Sequence, residues 1–242
     1  MARFGSDAAL IAAVFAAAPA LAQQTDLYSA TVIVTGRDNL AERERGIREA
    51  LPLVLSKVSA DPDVADRAAA AELDDETEAM VVGYDYRDRK EGIQISDEQG
   101  TRERSFEFTV RFEKPAVDAT LAKLGAAPWP EPRPAIAVAL TVDDGGSSYL
   151  LGRNSEKGYG QRAAFDDESG KLGLDVRLPG DPEAADAALL EGAMTVTPKG
   201  YWATEWRIAA NGANERFTLP ETTFDEAISG ALGRSAKTLA KR

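Results

Sequence analysis

Hydrophobic and polar positions alternate most strictly toward the end of the first half of the chain. Phe106, Phe108, Val110 and Phe112 are separated by Glu107, Thr109 and Arg111. A period of two is the signature of a strand with one buried face, so these apolar side chains belong to a core. A different period runs through Ile47, Ala50, Leu51, Val54, Leu55 and Val58, whose spacings of three and four define one face of a helix. Asn39 followed by Glu42 is a capping-box start for that helix. Pro52 interrupts it and should kink it, at a cost near ~3 kcal/mol unless packing offsets the loss. Asp61-Pro62 marks a break.

Around these two elements, Leu27 to Val34 is a β-branched strand closed by Gly36. An Ala-rich acidic helix is expected from Val64 to Met80, a strand from Met80 to Tyr86, and another beginning at Ile93 and Ile95. A polar turn is expected from Asp97 to Arg104. Pro115 suits the first turn of a helix whose Val117, Leu121 and Leu124 share a face and which ends at Gly125. Pro128, Pro130, Pro132 and Pro134 then form a stiff connector around Trp129, which is expected to pack into a seam between two modules.

Beyond the connector, Ala135 to Val142 is a nearly continuous apolar run, a strand buried on both faces. Ser147 to Lys171 is weakly patterned, with a short helix expected only around Gln161 to Phe165. Leu174 to Leu178 is a short strand. Ala187–Val196 and Tyr201–Ala209 flank Thr197-Pro198-Lys199-Gly200 and read as a hairpin, with a third strand at Arg216–Leu219. Thr223 with Glu226 opens a terminal helix. The expected fold class is therefore α+β: two small α/β modules in tandem, with mixed or antiparallel sheets covered by helices. The modules span residues 23–125 and 135–242, joined by the connector 126–134.

The first 22 residues change the picture of where the chain works. Arg3, an apolar run from Ala8 to Ala17, and Ala20-Leu21-Ala22 form a secretory signal peptide pattern with cleavage expected after Ala22. The run is shorter than the ~18 residues that span a membrane, and no cysteine is present to carry a lipid. A chain starting at Gln23 is expected in the periplasm, with no transmembrane segment.

Composition narrows the chemistry further. The 242 residues are 44% hydrophobic and 28% charged, which is enough apolar material for a real core. The formal charge of −12 argues against nucleic acid or an anionic membrane as the main partner, because both are polyanions. The absence of Cys and His excludes disulfides, cysteine nucleophiles, zinc fingers, iron–sulfur clusters and Ser-His-Asp triads.

Gly158-Tyr159-Gly160-Gln161-Arg162-Ala163 fits G-x-G-x-x-A, but a dinucleotide fingerprint needs a preceding strand, a following helix and an acidic residue about 20 residues on, and neither the strand nor an exported location favours it. A flexible glycine loop is the simpler reading. The acidic clusters Asp74-Asp75-Glu76, Asp143-Asp144 and Asp166-Asp167-Glu168 lack the alternating spacing of a calcium loop and read as solvated surface. No catalytic pair, cofactor site or metal site is assigned. The aromatic group Trp129, Tyr201, Trp202 and Trp206 is the candidate surface for a partner or ligand, weighed against core or seam packing.

Several blocks together resemble a bacterial family of exported proteins catalogued as domain of unknown function 2066. They are Leu27-Tyr28 with Val32-Ile33-Val34; Arg48 to Ser59; Phe106, Phe108, Val110 and Phe112; Leu121, Leu124 and Gly125 before Trp129; Arg133-Pro134; Gly173-Leu174 with Leu178-Pro179; Ala185 to Gly192; and Tyr201-Trp202 with Trp206. The chain departs from that pattern at Ala60, where the resemblance implies glycine. The element order of the second half is also similar to the amino-terminal domain of TolB-type periplasmic proteins. The resemblance implies an envelope location and an architecture, with no catalytic residues to transfer. The expected role is a non-enzymatic binding or adaptor protein of the cell envelope, whose partner is an envelope protein or a small ligand. The alternatives are a carboxylate-based hydrolase acting on cell-wall or polysaccharide material, and a small-ligand binder.

Overall fold

The alternating phenylalanines form the central strand of a three-stranded antiparallel sheet. The computed structural model describes residues 26–71, 73–91, 104–210 and 212–241. The leader at residues 1–22, the strand expected at Ile93 and Ile95, and most of the turn expected before Arg104 lie outside those residues. Strand β3 (Ser105–Phe112) pairs on one side with β1 (Ser29–Thr35) and on the other with β2 (Val81–Asp88). Phe108, Val110 and Phe112 are buried, and the intervening residues face away from the core.

One helix provides most of the cover. Helix α1 (Leu40–Ser59) lies over β1 and β3, and buries the face predicted from its spacing: Ile47, Ala50, Leu51, Val54, Leu55 and Val58. Asn39 accepts a hydrogen bond from the Glu42 amide at 3.3 Å, as its cap position requires. The helix continues through Pro52, which withholds one amide from the Arg48 carbonyl without ending the element. Gly46 lets it sit close to the sheet: a Cβ there would lie 2.7 Å from the Phe108 ring. Its C-cap, Ala60, has φ +53°, the left-handed conformation that explains why glycine suits this position.

The expected single helix from Val64 to Met80 is instead α2 (Val64–Ala70), α3 (Asp74–Thr77) and a 3₁₀ turn (Glu78–Met80). Only Val64, Ala68 and Met80 reach the core as buried apolar residues, so the segment lacks a continuous apolar stripe to hold one long rod. Helix α4 (Lys114–Lys123), with Pro115 in its first turn, closes this unit through Val117 and Leu121.

The second unit is a six-stranded mixed sheet. Strand β4 (Ile136–Asp143) lies inside it. One edge pairs in parallel with β7 (Ala188–Val196); the other pairs with the short strands β5 (Ser148–Leu150) and β6 (Val176–Arg177). Strands β8 (Trp202–Ala210) and β9 (Ala213–Thr222) extend the sheet from β7 as an antiparallel meander. Helices α5 (Tyr159–Leu172) and α6 (Phe224–Ala240) cover one face, and Thr223 caps α6 as expected. Helix α5 is much longer than the short helix expected at Gln161–Phe165. It buries Phe165 and Leu172 but also Gln161 and Glu168, so its buried face carried polar residues that concealed the period. The run 135–142 is correspondingly not buried on both faces: Ile136, Val138, Leu140 and Val142 face the helices, while Ala137, Ala139 and Thr141 face away. The protein is α+β, with one mixed and one antiparallel sheet.

The two units meet at Arg133. Its guanidinium donates to the Lys57 and Val58 carbonyls at 2.8 and 2.6 Å and to the Gly173 carbonyl at 3.2 Å. These acceptors sit at the C-termini of α1 and α5, where helix carbonyls lack intrahelical partners and the helix dipole is negative. The guanidinium also lies 5.2 Å from the centroid of Trp129, whose amide donates to the Val58 carbonyl at 3.0 Å. Gly173 has φ +60°, and a Cβ there would press on Lys57 and Leu27 at 2.7 and 2.8 Å. A second tie lies along α6, where Lys237 reaches Asp61 at 3.2 Å and Asp63 at 2.5 Å.

Arg133→Met should lower stability by about 2–4 kcal/mol, because it orphans carbonyls at two helix ends. Urea unfolding of the mature chain checks this, and Arg133→Lys should restore only part of the loss, since one ammonium cannot span both helix ends. The pair at Asp61 adds a pH dependence. Burial would raise the Asp61 carboxyl, but hydrogen bonds from Arg67 and Lys237 outweigh it and hold it below its ordinary value. Its contribution is therefore complete above the ordinary carboxylate range and is lost as pH falls through the depressed value. Lys237→Met should reduce the loss of stability between about pH 6 and about pH 3 by at most ~1 kcal/mol, a small effect because both groups are partly exposed. Urea midpoints at the two pH values measure it.

Candidate functional site

Helices α5 and α6 lie side by side, and the turn after α1 closes one end of the crease between them. The resulting groove encloses about 840 Å³ and is lined by Glu168, Lys171, Asp225, Ser229, Arg234 and Lys237, among others. Glu168 is its most buried charge, 8% exposed. One of its oxygens accepts from the Ser229 hydroxyl at 2.9 Å, and the other lies 3.6 Å from the Lys171 ammonium. Lys171 pairs more closely with Asp167 at 2.6 Å, and Arg234 pairs with Glu215 at 2.8 Å. The Thr238 hydroxyl and Arg234 pull the Glu215 carboxyl down, and Asp167 raises Lys171. Lys237 is raised by Asp63 and Asp61 against the opposing effect of burial. Each shift favours the charged form, which is the mark of matched ion pairs, whereas a proton-transfer group is tuned toward neutrality. Among the described residues no three acidic side chains converge as a metal site would require.

The aromatic group separates into different environments. Trp129 and Trp206 are buried at 6% and 3% exposure within the core of the second unit, and Trp202 packs half-buried against that core. Trp206 faces the helices from β8, opposite Gly192 on β7, and a Cβ at Gly192 would lie 2.4 Å from its ring. Thr204 and Trp206, two apart on the same face, each have a buried polar atom with no partner among the described residues. Tyr201, in the hairpin turn, is the member of the set that is exposed. The G-x-G-x-x-A glycines open α5, but β5 before them runs antiparallel to β4, so no βαβ unit forms there. The glycines make room for side chains: a Cβ at Gly158 would meet Leu151 at 2.4 Å, and one at Gly160 would meet the Phe224 ring at 3.0 Å. Asp144 turns inward on its own loop, where Lys157 and the amides of Gly146 and Ser147 hold its carboxyl near a pKa of about 2.

A further surface lies on the first sheet, one that composition does not mark. Helix α1 lies over β1 and β3 and leaves the helix side of edge strand β2 to be covered by its own tyrosines. Tyr86 and Tyr84 stack on Phe108 with centroids 4.7 and 5.4 Å away. Arg43 lies 5.6 Å over the Tyr84 ring and donates to its hydroxyl at 3.3 Å; Arg37 lies 6.0 Å over Tyr86. Neither arginine forms an ion pair among the described residues. The Tyr86 hydroxyl is buried and likewise unpartnered there, and burial raises its pKa. Beside these groups Val82 is 65% exposed and Tyr84 42% exposed, at the edge of the sheet. The sequence signal was Tyr84 and Tyr86 spaced by two; a bulge between Val81 and Gly83 puts Val81 opposite Phe112 and leaves Val82 as the extra, exposed residue.

The opposite face of the same sheet carries polar ladders beside one exposed apolar residue, Ile33. The Thr31 and Thr109 hydroxyls meet at 2.7 Å, Arg111 pairs with Asp85 and Arg87 with Glu107. The second sheet also bares one face, with Ala193 and Thr195 on β7 beside Ala203 and Glu205 on β8.

Fold and site thus define an α+β protein with two sheets, each covered by helices on one side, with a groove at a helix crease and an aromatic surface at a strand edge. Residues 22–130 match the family model of a domain of unknown function, DUF8605. That is a domain of unknown function, as the residue blocks imply, but a different one from domain of unknown function 2066. The match ends before the second sheet begins. Comparison with curated proteins gives no match. A solved crystal structure described only as an uncharacterized protein aligns at 13% identity, over 44% of this chain and 88% of its own, with a TM-score of 0.26.

Gly192→Ala should cost about 1–3 kcal/mol through overpacking against Trp206. A lower urea midpoint, accompanied by a red shift of tryptophan emission before unfolding, is the expected outcome.

Proposed function

We propose that the chain is an exported, non-enzymatic binding or adaptor protein of the cell envelope, acting in the periplasm after removal of residues 1–22. The observation that carries this reading is the bare edge of β2, where Val82 and Tyr84 stand in solvent beside two arginines that pair with no carboxylate among the described residues. Natural sheets blunt such an edge with charge, a bulge, proline or a covering element. On β2 the bulge at Val81–Gly83 and the charges Asp85 and Arg87 serve the face away from the helices, while the helix side keeps aromatic surface in solvent at Tyr84, which fits a surface that a partner covers. The A-x-A pattern at Ala20-Leu21-Ala22 supports the location. The groove favours a second reading, a small-ligand binder with Glu168 at the base of its pocket.

Two measurements test the proposal. The mature protein should be recovered from the periplasmic fraction with Gln23 as its first residue by intact mass. A photo-crosslinking residue at position 84 of the tagged full chain should capture one dominant envelope protein, and the same residue at position 199 should not. Saturable turnover of an envelope substrate by purified mature protein would overturn the reading.

A further inference from the structure

We infer that β2 takes an extended acidic segment of a partner polypeptide as an additional strand. The inference rests on the adaptor reading and names the chemistry of its partner. Strand order in the first sheet is β1-β3-β2, so β2 has one paired edge and one open edge among the described residues. An edge strand presents a row of unpaired amides and carbonyls that an extended peptide can complete. A bulge interrupts β2 between Val81 and Gly83, and the regular stretch Gly83–Asp88 beyond it offers length for a short extended segment.

The pleat decides which side chains of that segment matter. Directly opposed residues of neighbouring strands stand about 4.5–5.5 Å apart on the same face. Alternate residues of the incoming strand would therefore lie beside Tyr84 and Tyr86 on the helix side, within reach of Arg43 and Arg37. Carboxylates at positions i and i+2 would pair with those arginines. Residues between them would lie on the opposite face, beside Asp85 and Arg87, which are already paired with Arg111 and Glu107. That face has no unmatched charge to offer, so it sets no further requirement.

The overall charge of −12 does not oppose this choice. Exposed charges more than about 8 Å away are largely screened at physiological salt, and the charged side chains that act on Tyr86 are Arg43, Arg37 and Asp38, a net positive set that governs the encounter. The acidic remainder would instead discourage such a segment from docking elsewhere, which restricts it to this edge. An exposed stacked arginine gives up little to accept a carboxylate, because a cation–π contact at an exposed site is worth only about 0.5–1 kcal/mol.

The test is a random octapeptide display library panned on the full mature chain, with the Arg37→Glu/Arg43→Glu double variant panned in parallel. Both arginines are at the surface and outside the core, and a circular dichroism melt confirms that the variant is folded. Enriched peptides should carry Asp or Glu two residues apart, and synthetic copies should bind the variant at least about tenfold more weakly. N-methylation of alternate peptide amides should abolish binding in one of the two registers, because strand addition needs main-chain hydrogen bonds. No enrichment, enrichment of basic peptides, equal binding to the variant, or indifference to N-methylation in both registers would overturn the inference. If these results are negative while crosslinking from position 84 still captures an envelope partner, the adaptor reading stands and the acidic-strand chemistry falls.

Discussion

The rest of the structure depends on a single cation at the meeting point of two helix ends. Arg133 takes up carbonyls at the C-termini of α1 and α5, so the helix that covers the first sheet and a helix that covers the second share one counter-charge. Burial pulls the guanidinium below its ordinary pKa, yet guanidinium stays protonated in proteins. A carboxylate partner would have neutralised the charge and left the carbonyls unserved. Carbonyl dipoles from two directions instead fix both distance and angle between the helices. Trp129 then packs beside the same group, and Ala60, the cap of α1, enters the core of the second unit.

With the helices committed to the seam, neither sheet can be covered on both sides. Helices α5 and α6 occupy one face of the second sheet, and α1 covers only two of the three strands of the first. The two bare surfaces are chemically different. The open face of the first sheet is mostly polar, with cross-strand pairs around a single exposed isoleucine, Ile33. The edge of β2 is not: its aromatic residues are only half covered, and its cations are held by rings, not by carboxylates. The seam thus limits helical cover, and the shortage of cover leaves the edge that the proposed function uses.

Much of the fold was legible because single elements carry complete local signals. Phe106 to Phe112 alternates without exception, and α1 and α6 begin at Asn39 and Thr223 with the acceptor and the glutamate in place. Helix α5 was hidden because its buried side includes Gln161 and Glu168, and Glu168 is accepted there only by virtue of Ser229, 61 residues away in the chain. The segment 64–80 misled in the opposite sense, since alanine favours helix but offers little surface to anchor one rod. The apolar run 135–142 suggested burial on both faces because alanine counts as apolar even where it faces outward.

The candidate surface was harder to read than the fold, for a physical reason. Large aromatics mark both cores and interfaces, and composition cannot say which. Tryptophans were the conspicuous residues, yet Trp206 is held by the absence of a side chain at Gly192, a vacancy that becomes visible only when β7 and β8 are set in register. Tyr84 and Tyr86 have the same spacing as core residues and sit on the core side of their strand. What turns them outward is the reach of α1, which ends its cover at β3. Exposure at β2 is thus a property of how far a helix extends across a sheet, a long-range quantity. The arginines that stack there belong to the start of that same helix and the turn before it, so one element both leaves the edge uncovered and supplies the charge that distinguishes it.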